Sequence, residues 1–390
     1  MRPSRSSVRR AITRSLTRCD VQRLRPLRLG GVSIIVRVEM GLRGAERPAG
    51  GGWPSAHVRS AWQLLGSNAR SIFQTPEWIE GLAKRVDDDV VWGVLVVTGR
   101  PAAVSVLRRS VHREAGVMWN VLSELRVGES QVLYGDGLLD RRLIGGRRLR
   151  DLLDASGSWD VLRLTGLRSD SPWLELADCA HVQAEADGGV GVFDTSCGIE
   201  ECWGSIHKNM RDSLRKAQRR VAASGDASVV VATGSDVAEA YEAFIELEAS
   251  GWKGRGAGAL VKTRQEREML RDYLRVSNTA QVRSLHIDGR LVASQVAVTV
   301  ARTLFLWKIA YDQQFATLSP SNVLMADLVE SCCADPGIDR IDCLVWQPWH
   351  ARWGMVREPT YSLLAFNPRS PPNETPKHAG RPTLFEPGLI

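Results

Sequence analysis

The chain has no run near the roughly 18 consecutive apolar residues that a membrane-spanning helix requires. Its best candidate, VVWGVLVV at 90–97, is far too short, so no membrane span is expected. The Arg- and Ser-rich start, residues 1–31, lacks an apolar core and is not a secretory signal. Its seven cysteines (Cys19, Cys179, Cys197, Cys202, Cys332, Cys333 and Cys343) are odd in number and scattered. That excludes a disulfide framework and suits a reducing, cytoplasmic setting. Cys179, His181, Cys197 and Cys202 can be drawn as a metal set, but their spacings fit no standard zinc pattern, and no metal is expected. Also missing are a Gly-x-Ser-x-Gly elbow, a Walker phosphate loop and a His-Glu-x-x-His pair. GGGW at 50–53 reads as a linker.

The net charge of +7 sits in one place. Residues 1–50 hold twelve arginines against three acids (Asp20, Glu39 and Glu46), a surplus of nine, which leaves −2 on the rest. The folded part is close to neutral, so the high pI does not argue for nucleic-acid binding by the fold. Residues 1–52 read as a basic, disordered tail, or as a start extended beyond Met40; their composition also admits a transit peptide. The Pro-rich residues 368–390 read as a second disordered tail.

What is present is a repeat. VVTGRPAAVSV at 96–106 and LHIDGRLVASQVAV at 285–298 are both apolar runs around a Gly turn, and Asp288-Gly289 is a strong two-residue hairpin signal. VMWNVL at 117–122 matches FLWKIA at 305–310, pairing Trp119 with Trp307 and Asn120 with Lys308. A helical segment and a further strand follow in each copy, Arg147–Leu164 and Asn322–Trp346. Strands interrupted by one crossover helix per copy imply an α/β fold with a mixed sheet. Each copy also has its own leading helix. Thr75 as N-cap and Pro76 at N1 open PEWIEGLAKRV, and Asp236 as N-cap opens DVAEAYEAFIELEASG, which Gly251 closes.

The second copy carries most of the chemistry-bearing residues. Ser319 fits an N-cap and Pro320 the first position of a helix, whose free N–H groups would attract phosphate. Strand alternation puts Trp307 on one face and Lys308 on the other, where the lysine meets either an anion or solvent. Tyr311 and Asp312 end that strand: Tyr311 suits protonation of a leaving group, Asp312 suits orienting or deprotonating an amine, and both also suit a structural turn. Trp252-Lys253 precedes the Gly-rich GRGAGAL, either a substrate-side loop or a helix end and linker. The helix at 203–224 sets Lys208, Arg211, Arg215 and Arg219 opposite an apolar stripe, a surface for an anionic partner or a solvated face. No aromatic residue interleaves those bases, which disfavours single-stranded nucleic acid.

Five segments, MRDSLRKAQRR (210–220), FIELEASGWKGRGAGAL (244–260), LWKIAYDQQFATLSP (306–320), IDCL (341–344) and FQTPEWIEGL (73–82), together resemble the GNAT N-acyltransferase family. The resemblance is to its BioF2-like or CelD-like branch, related to Fem-type peptidyl transferases, and covers about residues 60–366. It implies tandem GNAT-like units, mixed twisted sheets flanked by helices. The N-terminal unit would be 53–198 and the C-terminal acyltransferase unit 199–367. It implies acyl-CoA, acetyl-CoA foremost, as donor, held by Lys308, Ser319, Ser321 and Asn322. Tyr311 and Asp312 would be catalytic, and Trp252, Lys253, Arg211 and Arg215 would bind a small-molecule amine: an amino sugar, an amino acid or an envelope or polysaccharide precursor. A Fem-like aminoacyl transferase using charged tRNA and a degenerate GNAT binding module are the alternatives. The sequence departs from the family at two places: Ser321 stands where Ser-Pro-Gly is usual, and Trp349-His350 where a Tyr-Lys pair is usual.

Overall fold

In a computed structural model of the chain, the described residues are 23–29, 32–41, 56–83, 85, 89–97, 100–114, 117–125, 137–155, 159–178, 182–251 and 264–367. The N-terminal part contains strands β1 (Arg23–Leu29) and β2 (Val32–Gly41), helices α1 (Ala56–Leu65) and α2 (Pro76–Ala83), and strands β3 (Asp89–Val97), β4 (Arg100–Glu114), β5 (Val117–Glu124) and β6 (Leu138–Leu139). Helix α3 (Gly146–Ala155) and strands β7 (Val161–Arg168) and β8 (Val182–Asp194) complete it. The C-terminal part runs α4 (Ile199–Ser205), α5 (Lys208–Ala223), β9 (Ala227–Thr233), α6 (Val237–Ser250), α7 (Arg264–Val276), β10 (Ala280–Ile287), β11 (Arg290–Val300) and β12 (Thr303–Tyr311). It ends with α8 (Pro320–Ala334), β13 (Arg340–Asp342) and β14 (Val356–Phe366).

All strands join one mixed sheet, ordered β1-β2-β3-β4-β5-β7-β14-β8-β13-β12-β11-β10-β9, with β6 beside β4. The repeat is visible in it. Antiparallel β3-β4-β5 crosses over through α3 to parallel β7, and β10-β11-β12 crosses over through α8 to parallel β13. Asp288 and Gly289 take φ of 50° and 77° between Ile287 and Arg290, the left-handed pair that a two-residue hairpin requires. The two units exchange strands at the centre. β14 of the second pairs with β7 of the first, and β8 of the first pairs with β13 of the second. One face of the sheet carries α1, α2, α6 and α7 over a core that includes Trp62, Phe73, Trp78, Tyr241, Phe244 and Met269 from both units.

Several sequence expectations change. The tail at 1–52 is not structureless throughout: β1 and β2 pair with each other, and β2 pairs with β3. Val32, Ile34, Val36, Val38 and Met40 alternate with Ser33, Arg37 and Glu39, a strand pattern that the arginine count obscures. Aligned on the parallel pairs, Val121 (paired with Val161) corresponds to Thr303 (paired with Arg340). Trp119 and Asn120 therefore fall at Ala301 and Arg302 rather than at Trp307 and Lys308. Asp236 makes no side-chain cap on α6, because a 3-10 turn feeds its backbone into the helix already in helical conformation. Residues 368–390, Cys179 and His181 lie outside the described residues. Among the described residues no His, Cys, Asp and Glu cluster fits a metal, and no helix is long and apolar enough to cross a membrane.

Candidate active site

A fork between two parallel strands makes the site. β12 and β13 pair only over Thr303–Phe305 with Arg340–Asp342. β12 then continues to Tyr311, while the chain after β13 leaves to follow β8. The Cys343 N–H donates to the Gly191 carbonyl at 2.9 Å, and that of Trp346 to Gly189 at 2.7 Å. Leu344 makes the departure in a left-handed conformation, φ 63°, and its N–H donates to the fully buried Asp342 carboxylate at 2.8 Å. A leucine in that region is strained, and the bond to Asp342 offsets part of the cost. The fork opens a cavity of about 670 Å³, closed at the sides by α6, the start of α8 and the 348–353 turn.

The cavity brings together Lys308, Tyr311, Ser319, Ser321 and Asn322 with Glu248, Trp307, Trp349 and His350. Trp307 and Lys308 both line it despite adjoining on a strand. The register with β11 steps from Val296–Lys308 to Ala297–Leu306, so Trp307 is an extra residue, a β-bulge, and simple alternation fails there. Trp307 also packs on Trp78, Phe73 and Tyr273, at centroid distances of 4.8, 5.9 and 6.4 Å, which ties the first unit and α7 to the cavity wall.

At the start of α8, Pro320 occupies the first helical position as expected. Ser319 does not cap with its side chain. Its φ of 54° turns the backbone sharply out of the preceding 3-10 turn, and its carbonyl instead accepts from Asn322 and Val323 at 3.0 and 3.3 Å. The Ser321 hydroxyl is buried without a hydrogen-bond partner among the described residues. A helix N-terminus with an unfilled hydroxyl at a cavity wall suits an anionic ligand.

Three predicted site residues lie elsewhere. Asp312 caps the 313–318 turn: Oδ1 accepts from the Gln314 N–H at 2.9 Å and Oδ2 pairs with Arg290 at 2.6 Å, so the carboxylate is occupied by the fold and does not line the cavity. The Arg211 guanidinium donates to the carbonyls of Trp203, Gly204 and Ile206 at 3.0, 3.1 and 2.7 Å, closing the C-terminal end of α4. Arg215 is exposed and pairs with Asp212 one turn away. Trp252 and Lys253 lie outside the described residues.

Glu248 is the residue that the sequence reading passed over. It is 2 % exposed, on the last turn of α6, and lines the cavity. The signal was present: Val237, Tyr241, Phe244 and Glu248 step by four, three and four, which puts a carboxylate on the buried stripe. Burial pushes the Cys343 thiol well up, so it stays protonated and is no nucleophile.

The corresponding fork of the first unit is bridged. β5 and β7 also share only three pairs, Val121–Ser123 with Val161–Arg163. Immediately beyond them the Thr165 hydroxyl donates to buried Glu124 Oε1 at 2.8 Å, spanning the gap, and β5 ends.

A strand fork with a helix N-terminus at its mouth, on one of two repeated units, is the arrangement that the GNAT resemblance implies. Residues 208–348 match the acetyltransferase (GNAT) domain family. No curated protein sequence matches the chain. Among solved structures, FemX aligns over 78 % of this chain and 95 % of its own at 11 % identity, TM-score 0.54. A conserved protein of unknown function from Bacteroides thetaiotaomicron VPI-5482 aligns over 80 % and 97 % at 11 % identity, TM-score 0.52. These likenesses concern the fold. The tandem GNAT protein from the clavulanic acid biosynthesis pathway aligns over 86 % and 100 % at 12 % identity, TM-score 0.42.

Proposed function

We propose that the protein moves an acetyl or longer acyl group from acyl-CoA to the amine of a small acceptor: an amino sugar, an amino acid or an envelope or polysaccharide precursor. The observation that carries this is the open fork beside the start of α8, lined by Lys308 from β12 and by Ser321 and Asn322 from α8. The donor's phosphates sit at the α8 N-terminus, where the N–H groups and Lys308 complement their charge. The thioester reaches into the fork, toward Tyr311. The acceptor approaches from the α6 side, where Gly251 lines the cavity and Trp252-Lys253 follow it.

The chemistry needs one net proton transfer. The amine nitrogen bonds to the thioester carbon, its proton passes to the Glu248 carboxylate, the C–S bond breaks and the sulfur takes a proton from the Tyr311 phenol. Water then restores both side chains. Much of the rate comes from holding the reactants in line, and the two proton transfers add to it. Glu248, rather than Asp312, takes the amine-side role, because it lines the cavity while Asp312 is held by Arg290 and Gln314.

The test is thermal. Acetyl-CoA or a longer acyl-CoA raises the Tm, and Lys308→Ala reduces that shift; an unchanged Tm across an acyl series refutes the donor assignment. The likeness of fold to FemX favours one second reading, a Fem-like aminoacyl transferase. Its mark is turnover without CoA and salt-sensitive binding of charged tRNA.

A further inference from the structure

Trp349 and His350 replace the Tyr-Lys pair that the family resemblance leads one to expect, and the roles assigned above leave both unused. His350 is 1 % exposed, yet it belongs to the cavity wall. The protein fixes one edge of its ring. The Gln347 backbone N–H donates to Nδ1 at 3.1 Å. Nδ1, Cε1 and Cγ lie against Gly191 so closely that a Cβ there would stand 2.2 Å from Nδ1. Trp349 and Trp346 hold the ring plane, with centroids 4.0 and 5.5 Å away and interplanar angles of 74° and 75°.

An Nδ1 that accepts a hydrogen bond carries no proton, so the neutral ring carries its proton on Nε2. Burial keeps the imidazole down at about 4, so the ring is neutral near pH 7. The other titratable groups of the cavity are Glu248, Lys308, Tyr311, Cys343 and Arg352. His350 thus offers a single donor, Nε2–H, on the ring edge away from Gly191, and it pays no reorganisation to present it.

We propose that His350 donates a hydrogen bond from Nε2 to the carbonyl oxygen of the acyl thioester and to the oxyanion that forms when the amine attacks. It transfers no proton: the N–C bond forms, the C–S bond breaks, and the Nε2–H stays on the ring throughout. A preset donor in a buried site stabilises developing charge more than the ground state. The role rests on the acyl-CoA reading and supplies the charge-stabilising group which that reading lacks.

Two substitutions separate this role from a structural one. In His350→Gln the amide nitrogen reaches the place of Nε2, so the donor survives while the contact to Gln347 is lost. In His350→Asn the amide oxygen reaches the place of Nδ1, so the contact to Gln347 survives while the donor is lost. The expected result is kcat within about tenfold of wild type for Gln and a fall of about 10²–10³ for Asn, with little change in KM for acyl-CoA. The opposite order, or equal effects, overturns the proposal. Nitrogen-15 NMR of the wild type near pH 7 is independent of turnover: a bare Nδ1 and a protonated Nε2 are expected, and a protonated Nδ1 overturns the proposal outright. A wild type that neither binds nor turns over acetyl-CoA or longer acyl-CoA refutes the donor reading, and the proposal falls with it. Turnover with the wrong order of variants refutes His350 alone.

Discussion

Acidification should cost this protein stability through His350 specifically. The imidazole titrates near 4 in the fold against an ordinary 6.5, because burial disfavours its charged form. Between those values the unfolded chain binds a proton that the folded chain refuses. Stability is therefore complete above pH 6.5, falls as the pH drops toward 4, and is not reduced further below that by this group. The full displacement corresponds to about 3 kcal/mol, and about 2.5 kcal/mol of it is lost between pH 7.5 and 4.5. That is a large share of the 5–15 kcal/mol typical of a folded protein.

Urea unfolding of wild type and His350→Gln at several pH values isolates the effect, because every other group titrates in both proteins. The advantage of the wild type at pH 7.5 should shrink steadily toward pH 4.5, by about 2.5 kcal/mol. A difference that stays flat with pH means that the folded imidazole titrates normally. It would then not be the buried neutral ring that the contacts with Gly191, Trp346 and Trp349 describe.

Other outcomes follow from the same contacts. Gly191→Ala places a methyl against His350 Nδ1 and should cost about 1–3 kcal/mol in urea unfolding while moving the His350 nitrogen resonances. Arg211→Ala removes three hydrogen bonds to the end of α4 and should cost about 1–3 kcal/mol without weakening acyl-CoA binding by calorimetry; Arg215→Ala should stay within about 0.5 kcal/mol. Glu248→Gln should lower kcat by about 10²–10⁴ with little change in the dissociation constant of acyl-CoA. Residues 199–367 expressed alone should show no cooperative thermal transition, since β13 and β14 both lose their partner β8, and residues 182–367 should recover it at least in part.

What the sequence discloses depends on how local the physics is. The Asp288-Gly289 hairpin is legible because two residues fix their own backbone. The crossover before β13 is legible from apolar runs around a Pro-started helix. The failures are non-local. Asp312 looks catalytic until Arg290, twenty-two residues away, claims its carboxylate. Arg211 looks free on a helical wheel until the end of α4 turns three carbonyls toward it. Ser319 has the composition of an N-cap but a backbone turned away from the capping geometry. Pairing Trp119 with Trp307 follows identical letters, whereas β4 is longer than β11 and shifts the register beyond it.

The two forks differ in what spans them. Both units stop pairing their parallel strands after three residue pairs, so the tendency to split belongs to the architecture. In the first, Glu124 and Thr165 join across the gap where Leu306 and Leu344 stand in the second, and leucines cannot replace that bond. In the second, β12 runs on from Leu306 to Tyr311, while the strand exchange gives the chain after β13 hydrogen bonds along β8 instead. The exchange thus does more than join the units. It satisfies the backbone of residues 343–346, which an open fork would otherwise leave unpaired. Gly191, on the strand contributed by the first unit, also leaves the space that His350 fills. Through β8 the first unit thus forms part of the wall of the second unit's fork.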